Sequence, residues 1–84
     1  MSPTIFRYEA YRFFFFSNEG YPLKPIHIHV RRESLLAKFW LSPEVKLAEN
    51  FGFSEKELNK IKKLIDYNKQ EIENAWNKYF NDIS

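Results

Sequence analysis

Residues 26–31 read Ile-His-Ile-His-Val-Arg, an unbroken alternation of apolar and polar side chains. Successive side chains of a β-strand point to opposite faces of the sheet, so this alternation predicts a strand. Its three aliphatic side chains share one face, and both histidines share the other face with Arg31. The stretch therefore predicts a sheet with one apolar face and one polar face.

Residues 35–41, Leu-Leu-Ala-Lys-Phe-Trp-Leu, predict a second strand after a turn at Glu33-Ser34. The short connection favours an antiparallel hairpin whose aliphatic side chains lie on a common core face. Five side chains would then gather on the opposite face: His27, His29, Arg31, Lys38 and Trp40.

The front of the chain is also rich in strand-forming residues. Residues 4–8 and 11–16 predict two strands joined by a hairpin at Glu9-Ala10, and residues 17–25 predict a loop. Aromatic residues make up 19% of the sequence, and four successive phenylalanines occupy 13–16. Rings on both sides of one strand require cover on both faces, which predicts a central position in the sheet.

The second half of the chain predicts helices. Ser42 as an N-cap with Pro43 after it predicts a short helix that ends before Gly52. The sequence Ser-Glu-Lys-Glu at 54–57 is a capping box, and apolar residues then recur at helical spacing to the end of the chain. This pattern predicts a long helix over 55–81, about 40 Å in length. Asn68 interrupts its apolar stripe and allows a bend there.

Together these elements predict one α+β domain over residues 1–84. We expect an antiparallel sheet of three to four strands, a short helix, and a long C-terminal helix on one sheet face. A helix of that length should overhang so small a domain and expose Trp76, Tyr79 and Phe80. The exposed aromatics would make this C-terminal helix the contact of a homo-oligomer or of a protein partner.

The net charge of +2 is concentrated in the first half of the chain. Residues 1–47 carry seven Lys/Arg and four Asp/Glu, whereas residues 48–84 carry six and seven. A basic front half is compatible with contact to RNA or DNA. No membrane span and no signal-peptide core is present in the sequence, so the cytoplasm is the expected location. Cysteine is absent, as are Gly-rich phosphate loops and nucleophile elbows, and we expect no cofactor.

Several blocks in order resemble the small bacterial family catalogued as domain of unknown function 4160. The blocks are residues 3–7, the aromatic run 11–16 with Ser-Asn-Glu-Gly after it, His-Ile-His-Val at 27–30, residues 37–41, and residues 52–58. The resemblance implies a compact prokaryotic domain without an established activity, loosely linked to two-gene modules of toxin–antitoxin type. Ile26 stands where that family commonly has proline, and residues 32–35 lack its glycine-containing turn.

His27 and His29 are the candidate catalytic residues. A histidine near neutral pKa can transfer a proton, and Arg31 and Lys38 can stabilise negative charge, which is what metal-independent RNA cleavage needs. The same face could instead bind RNA or a partner protein without catalysis, or the histidines could simply fill a polar strand face. A metal site would need a third ligand, such as Glu19, and no spacing typical of zinc supports one.

Two more side chains are candidate binding residues. Trp40 could stack on a base or pack as core, and Arg12, with Arg7, could extend the basic surface or lie as an isolated strand arginine. The favoured function is a toxin–antitoxin-like binding module for RNA or a partner protein from a neighbouring gene. The alternatives are a metal-independent ribonuclease acting through His27 and His29, and a metal-binding regulatory domain.

Overall fold

The computed structural model describes residues 4–16 and 25–81. In chain order its elements are β1 (Thr4–Tyr8), β2 (Tyr11–Phe14), β3 (His27–Arg32), β4 (Leu35–Trp40), β5 (Lys46–Phe51), α1 (Glu55–Tyr67) and α2 (Lys69–Asn81). Among these residues the strands form one antiparallel sheet in the order β1-β2-β3-β4-β5. The predicted α+β class is confirmed, but the sheet has five strands, not three to four.

The hydrophobic core lies between the sheet and the helices. Alternation places one set of strand side chains under α1 and α2, and this side of the sheet is called the helix face. Its fully buried residues are Phe13, Ile28, Val30, Ala37 and Phe39, and the helices contribute Ile61, Ile65, Ile72 and Trp76. The aliphatic face predicted for the β3–β4 hairpin is therefore the core face.

The pairing of β1 with β2 and the position of β2 in the sheet agree with the sequence pattern. Tyr8 pairs with Tyr11 across the predicted turn, in which Glu9 has a φ of 54°. β2 lies between β1 and β3, and Phe14 and the residue after it are buried as well as Phe13, so the predicted central position is confirmed. The loop predicted for 17–25 lies outside the described residues except for Pro25.

The predicted short helix, capped by Ser42 and ending at Asn50 or Phe51, is wrong, because Lys46–Phe51 forms β5. Lys46 pairs with Trp40 and Phe51 with Leu36, so β5 occupies the edge of β4 that would otherwise be open. A helix of so few residues is marginal by itself, whereas an added strand satisfies the hydrogen-bonding groups of β4. Sheet pairing thus outweighs the local capping signal.

The capping box at the start of α1 is confirmed. The backbone N–H of Glu57 donates to Ser54 Oγ at 3.2 Å. Asn68 separates α1 from α2 with a backbone of φ −102° and ψ 15°, which is where the sequence allowed a bend. The hydrogen bonds continue across it, since Asn68 N donates to Leu64 O at 3.1 Å and Ile72 N donates to Asn68 O at 3.0 Å.

The expectation that the aromatics of the C-terminal helix are exposed is wrong for Trp76. Its side chain is 2% exposed and lies 5.2 Å, ring centre to ring centre, from Phe15. Phe80 is half-buried and lies 5.8 Å from the same ring, and Tyr79 is half-buried beside it. Phe15, which follows β2, extends the core to the end of α2. The aromatic side chains in this part of the helix therefore pack against the core. The exposed-aromatic argument for an oligomer is therefore lost, and oligomerisation stays a prediction.

Neither α1 nor α2 combines the length and the apolar character needed to traverse a lipid bilayer.

Candidate functional site

The side of the sheet opposite the helices is called the outer face. Strand register assigns to it Thr4, Arg7, Arg12, Phe14, His27, His29, Arg31, Leu36, Lys38, Trp40, Lys46, Glu49 and Phe51. The five side chains that the sequence predicted to share one face of the β3–β4 hairpin do so. Residues directly opposite one another on neighbouring strands form rows across this face, and the rows define its chemistry.

Three arginines lie in one row. Arg7 pairs with Arg12, and Arg12 pairs with Arg31, so β1, β2 and β3 each carry an arginine at the same level of the sheet. This set is called the arginine row. Opposite residues have Cα atoms about 5 Å apart, and like charges placed directly opposite destabilise a sheet. The row therefore concentrates positive charge on this part of the outer face.

The arginines are held in different ways. Arg12 Nε donates to Thr4 Oγ1 at 2.7 Å, and its guanidinium lies 4.6 Å from the ring centre of Phe14. Arg31 Nε donates to the backbone oxygen of Glu33 at 3.0 Å. Arg7 and Arg31 are exposed, and within residues 4–16 and 25–81 neither forms an ion pair. Two members of the row thus present their charge to solvent.

The next row contains Phe14, His29, Lys38 and Glu49. His29 is only 5% exposed. Its ring is stacked on Phe14 at 5.6 Å between centres and meets Phe16 edge-on at 4.3 Å. The aromatic run that fills the core through Phe13 and Phe15 therefore also covers this imidazole on the opposite side.

His27 is more deeply buried, with 1% of its surface exposed. It lies at the start of β3 opposite Trp40, and its ring centre is 5.5 Å from that of Trp40 and 5.1 Å from that of Trp76. Its Nδ1 is 2.9 Å from the backbone oxygen of Pro25. Both histidines thus lie on the face that the sequence predicted to be polar, but neither projects freely into solvent. Alternation along the strand predicted the correct face of the sheet, but neighbouring aromatic side chains cover both histidines.

The two predicted catalytic residues are close together, with ring centres 5.4 Å apart. Proton transfer in RNA cleavage needs an imidazole within hydrogen-bond reach of the 2′-hydroxyl. His27 is almost completely buried, and His29 is 5% exposed, at the wall of a cavity. Their catalytic role stays a prediction. No group of three or more metal-ligating side chains is found in the described part of the chain, and Glu19, the suggested third ligand, lies outside it.

Lys38 and Trp40 form a pair on β4. Lys38 Nζ lies 4.5 Å from the centre of the Trp40 ring, and both side chains are half-buried. A cation over an indole face is attracted by the ring's quadrupole. Trp40 thus lies on the outer face, where part of its ring is accessible, and its other neighbour is His27.

A cavity of about 230 Å³ opens between the first two rows. Its lining consists of Phe16, His29, Leu36, Ala37, Lys38, Glu49 and Phe51. The sequence analysis missed Glu49 and Phe51, because it placed them on a helix. The sequence left open whether Arg7 extends the basic surface, and only the register of β1 shows that it continues a row. The apolar residues of β5 are Leu47, Ala48 and Phe51, which do not alternate, so the segment carries no clear strand signal of its own.

A separate polar cluster fastens α1 to the sheet on the helix side. Glu57 Oε2 accepts a hydrogen bond from Tyr11 OH at 3.1 Å and forms an ion pair with Arg32. The hydrogen bond from Arg32 holds the pKa of Glu57 below its usual value, and burial together with Glu57 raises the pKa of Tyr11. Nearby, Lys60 Nζ lies 2.6 Å from Glu9 Oε1. These contacts attach the helix and leave the outer face untouched.

The sequence model of a family described as "Domain of unknown function (DUF4160)" matches residues 10–77. The chain belongs to this family. The DUF4160 match includes β2 to β5, and therefore the whole cavity lining, whereas β1 with Arg7 precedes it. None of the curated proteins and none of the solved structures compared with the chain matches it.

Proposed function

We propose that this protein binds single-stranded RNA on the outer face of its sheet. The arginine row is the observation that carries the proposal. Three arginines whose paired Cα atoms are about 5 Å apart offer a track of positive charge for phosphates, since arginine pairs with phosphate through parallel hydrogen bonds. A buried or scattered set of arginines would offer no such track.

The charge of the whole outer face supports a polyanion as the ligand. Among its described residues, five carry positive charge and one, Glu49, carries negative charge. Electrostatic attraction of this kind supplies most of the sequence-independent affinity for nucleic acids. The net charge of the entire chain is only +2, so the excess on this face is local.

Accessible aromatic rings favour a single strand over a duplex. Phe51 is 60% exposed at the end of the arginine row, and Trp40 and Phe16 are half-buried further along the same face. Unpaired bases stack on such rings, whereas paired bases are enclosed in the helix. A sheet surface that combines arginines with aromatics thus suits RNA better than it suits a folded protein partner, which an apolar patch would favour.

The proposal is tested by fluorescence anisotropy with a labelled 12-nucleotide RNA of mixed sequence over a range of salt concentrations. Arg7→Gln and Arg31→Gln should each weaken binding about fivefold near 0.1 M salt and lower the slope of log affinity against log salt by about 0.7. Lys62→Gln is the matched control, because Lys62 is an exposed cation on α1, away from the outer face. It should leave both quantities nearly unchanged.

Two results would overturn RNA binding on this face. One is an affinity that does not change with salt, which would favour a partner protein, such as the product of a neighbouring gene. The other is an equal loss of affinity in Lys62→Gln and in the arginine variants, which would show that the contact is not specific to the row.

The ribonuclease alternative makes a different prediction in the same experiment. The short distance between His27 and His29 favours it, and their burial opposes it. If the pair cleaves RNA, the labelled strand should be cut in the presence of EDTA, and His29→Ala should abolish the cut while the protein stays folded. An intact strand would exclude this alternative.

A further inference from the structure

The cavity on the outer face has the lining of a site for one flat, polar ring. Phe16 and Phe51 contribute aromatic surface, and the buried imidazole of His29 and the ammonium and carboxylate groups of Lys38 and Glu49 contribute polar surface. Small-molecule sites combine mainly apolar walls with a few polar groups that fix orientation. A volume of about 230 Å³ accommodates a single nucleobase.

Lys38 and Glu49 are directly opposite each other on β4 and β5, yet they do not form an ion pair within the described residues. The Lys38 ammonium lies over the Trp40 ring instead. Glu49 is exposed, so its carboxylate keeps its capacity to accept hydrogen bonds. The cavity therefore presents one strong acceptor and one strong donor side by side.

This pairing selects among the bases. Guanine carries two adjacent N–H donors, N1–H and the 2-amino group, next to the O6 acceptor on its Watson–Crick edge. A carboxylate can accept from both donors while an ammonium donates to O6. Adenine and cytosine each offer one amino donor beside a ring-nitrogen acceptor, and uracil offers one N–H beside a carbonyl. Each of them therefore gives the carboxylate a single hydrogen bond, whereas guanine gives it two.

The cavity also lies where a nucleotide on the arginine row would place its base. Leu36 and Phe51 continue the row that contains Arg31, and His29, Lys38 and Glu49 belong to the adjacent row. Residues two apart on a strand are about 6–7 Å from each other. A phosphate at Arg31 and a base in the cavity are thus within the span of one nucleotide.

We infer that the outer-face cavity is a guanine-binding site in which Glu49 accepts from N1–H and the 2-amino group and Lys38 donates to O6. This inference rests on the proposed RNA-binding function. The guanine could come from an RNA strand or from a free nucleotide, and the two sources share the same chemistry at the base.

Calorimetry with free nucleotides tests the site directly. GMP should bind at least about tenfold more tightly than AMP, and IMP, which lacks the 2-amino group, should lie between them. Glu49→Gln should reduce the preference for GMP over AMP to less than about threefold. Glu44→Gln is the control, since Glu44 is an exposed carboxylate that does not line this cavity, and it should keep the full preference. Circular dichroism melting verifies that both variants are folded.

A second arm uses RNA and separates the possible failures. A U12 strand with one central guanine should bind at least about fivefold more tightly than the same strand with a central adenine. If all strands bind equally and the arginine variants still weaken them, RNA binding stands and the guanine site is wrong. If GMP is preferred but no strand binds, the guanine site stands for a free nucleotide and the proposed RNA binding is wrong. If GMP is not preferred over AMP and no RNA strand binds, both the guanine site and the proposed RNA binding are wrong.

Discussion

The two faces of the sheet bury similar numbers of rings in different surroundings. On the helix face, Phe13 and Phe39 are sealed against aliphatic side chains of α1 and α2. On the outer face, Phe14 supports a guanidinium on β2, and His29 is packed between aromatic rings beside an open cavity. The interior of the helix face is thus mainly apolar, whereas on the outer face aromatic rings pack against charged and polar groups.

This contrast shows what alternation along a strand can and cannot indicate. It assigns each side chain to a face, because successive side chains point in opposite directions. It does not indicate exposure, because burial depends on residues that arrive from elsewhere in the chain. His27 is on the outer face by register, yet Trp76 from α2 reaches its ring around the end of the sheet.

Truncation of a ring on each face should give the largest difference. Phe39→Ala removes a side chain that is 1% exposed and should cost about 3–5 kcal/mol of unfolding free energy, since it leaves a cavity in the core. Phe51→Ala removes a ring that is 60% exposed and should cost within about 0.5 kcal/mol. Urea unfolding followed by circular dichroism measures both. Equal losses would contradict the division between the faces.

Replacement of the most buried histidine should give a smaller loss. His27→Ala removes the ring that contacts Trp40 and Trp76 and should cost about 1–3 kcal/mol in the same urea titration. The reason is lost packing, as for a core residue. A loss within about 0.5 kcal/mol, as expected for a surface side chain, would show that the outer face does not bury this imidazole.

The smallest effect should appear as a change with pH in the attachment of α1. The folded-state pKa of Glu57 is lowered by Arg32, so its carboxylate stabilises the fold above the unfolded pKa of about 4.3. That stabilisation is lost as the pH falls through the lower folded-state pKa. The gap in urea midpoint between the wild type and Glu57→Gln should therefore be constant near neutral pH and close in acid.

The control for this pH series is Glu71→Gln, an exposed carboxylate on α2. The difference in urea midpoint between this variant and the wild type should stay small at every pH. A gap for Glu57→Gln that widens in acid would contradict the role of the Arg32 contact.

Local signals predicted those elements whose stability is mostly local. The β3–β4 hairpin follows from alternation and a short turn, and the start of α1 follows from Ser54 and Glu57. β5 could not be predicted in this way, because its reason to be a strand is the open edge of β4, which exists only in the folded sheet. Pairing with β4 stabilises a strand here more than the capping pattern stabilises a short helix that has no packing partner.

The candidate site was predicted in composition and only partly in geometry. The sequence placed Arg31, Lys38 and Trp40 on one face, and register confirms this. The continuation of the row through Arg7 and the closing of the cavity by Glu49 depend on how separate strands align. Such alignment is fixed by turns, bulges and core packing together, and no single stretch of sequence contains it.

Gly52 joins the two faces. With a φ of 106°, it lies between Phe51, which lines the cavity, and Phe53, which is 5% exposed in the core beside Tyr11. A β-carbon at this position would come within 2.5 Å of Leu35 Cδ2. The wall of the cavity and the interior are therefore separated by one residue of chain, and a larger amino acid there would disturb both at once. Substitution of this glycine should accordingly be poorly tolerated.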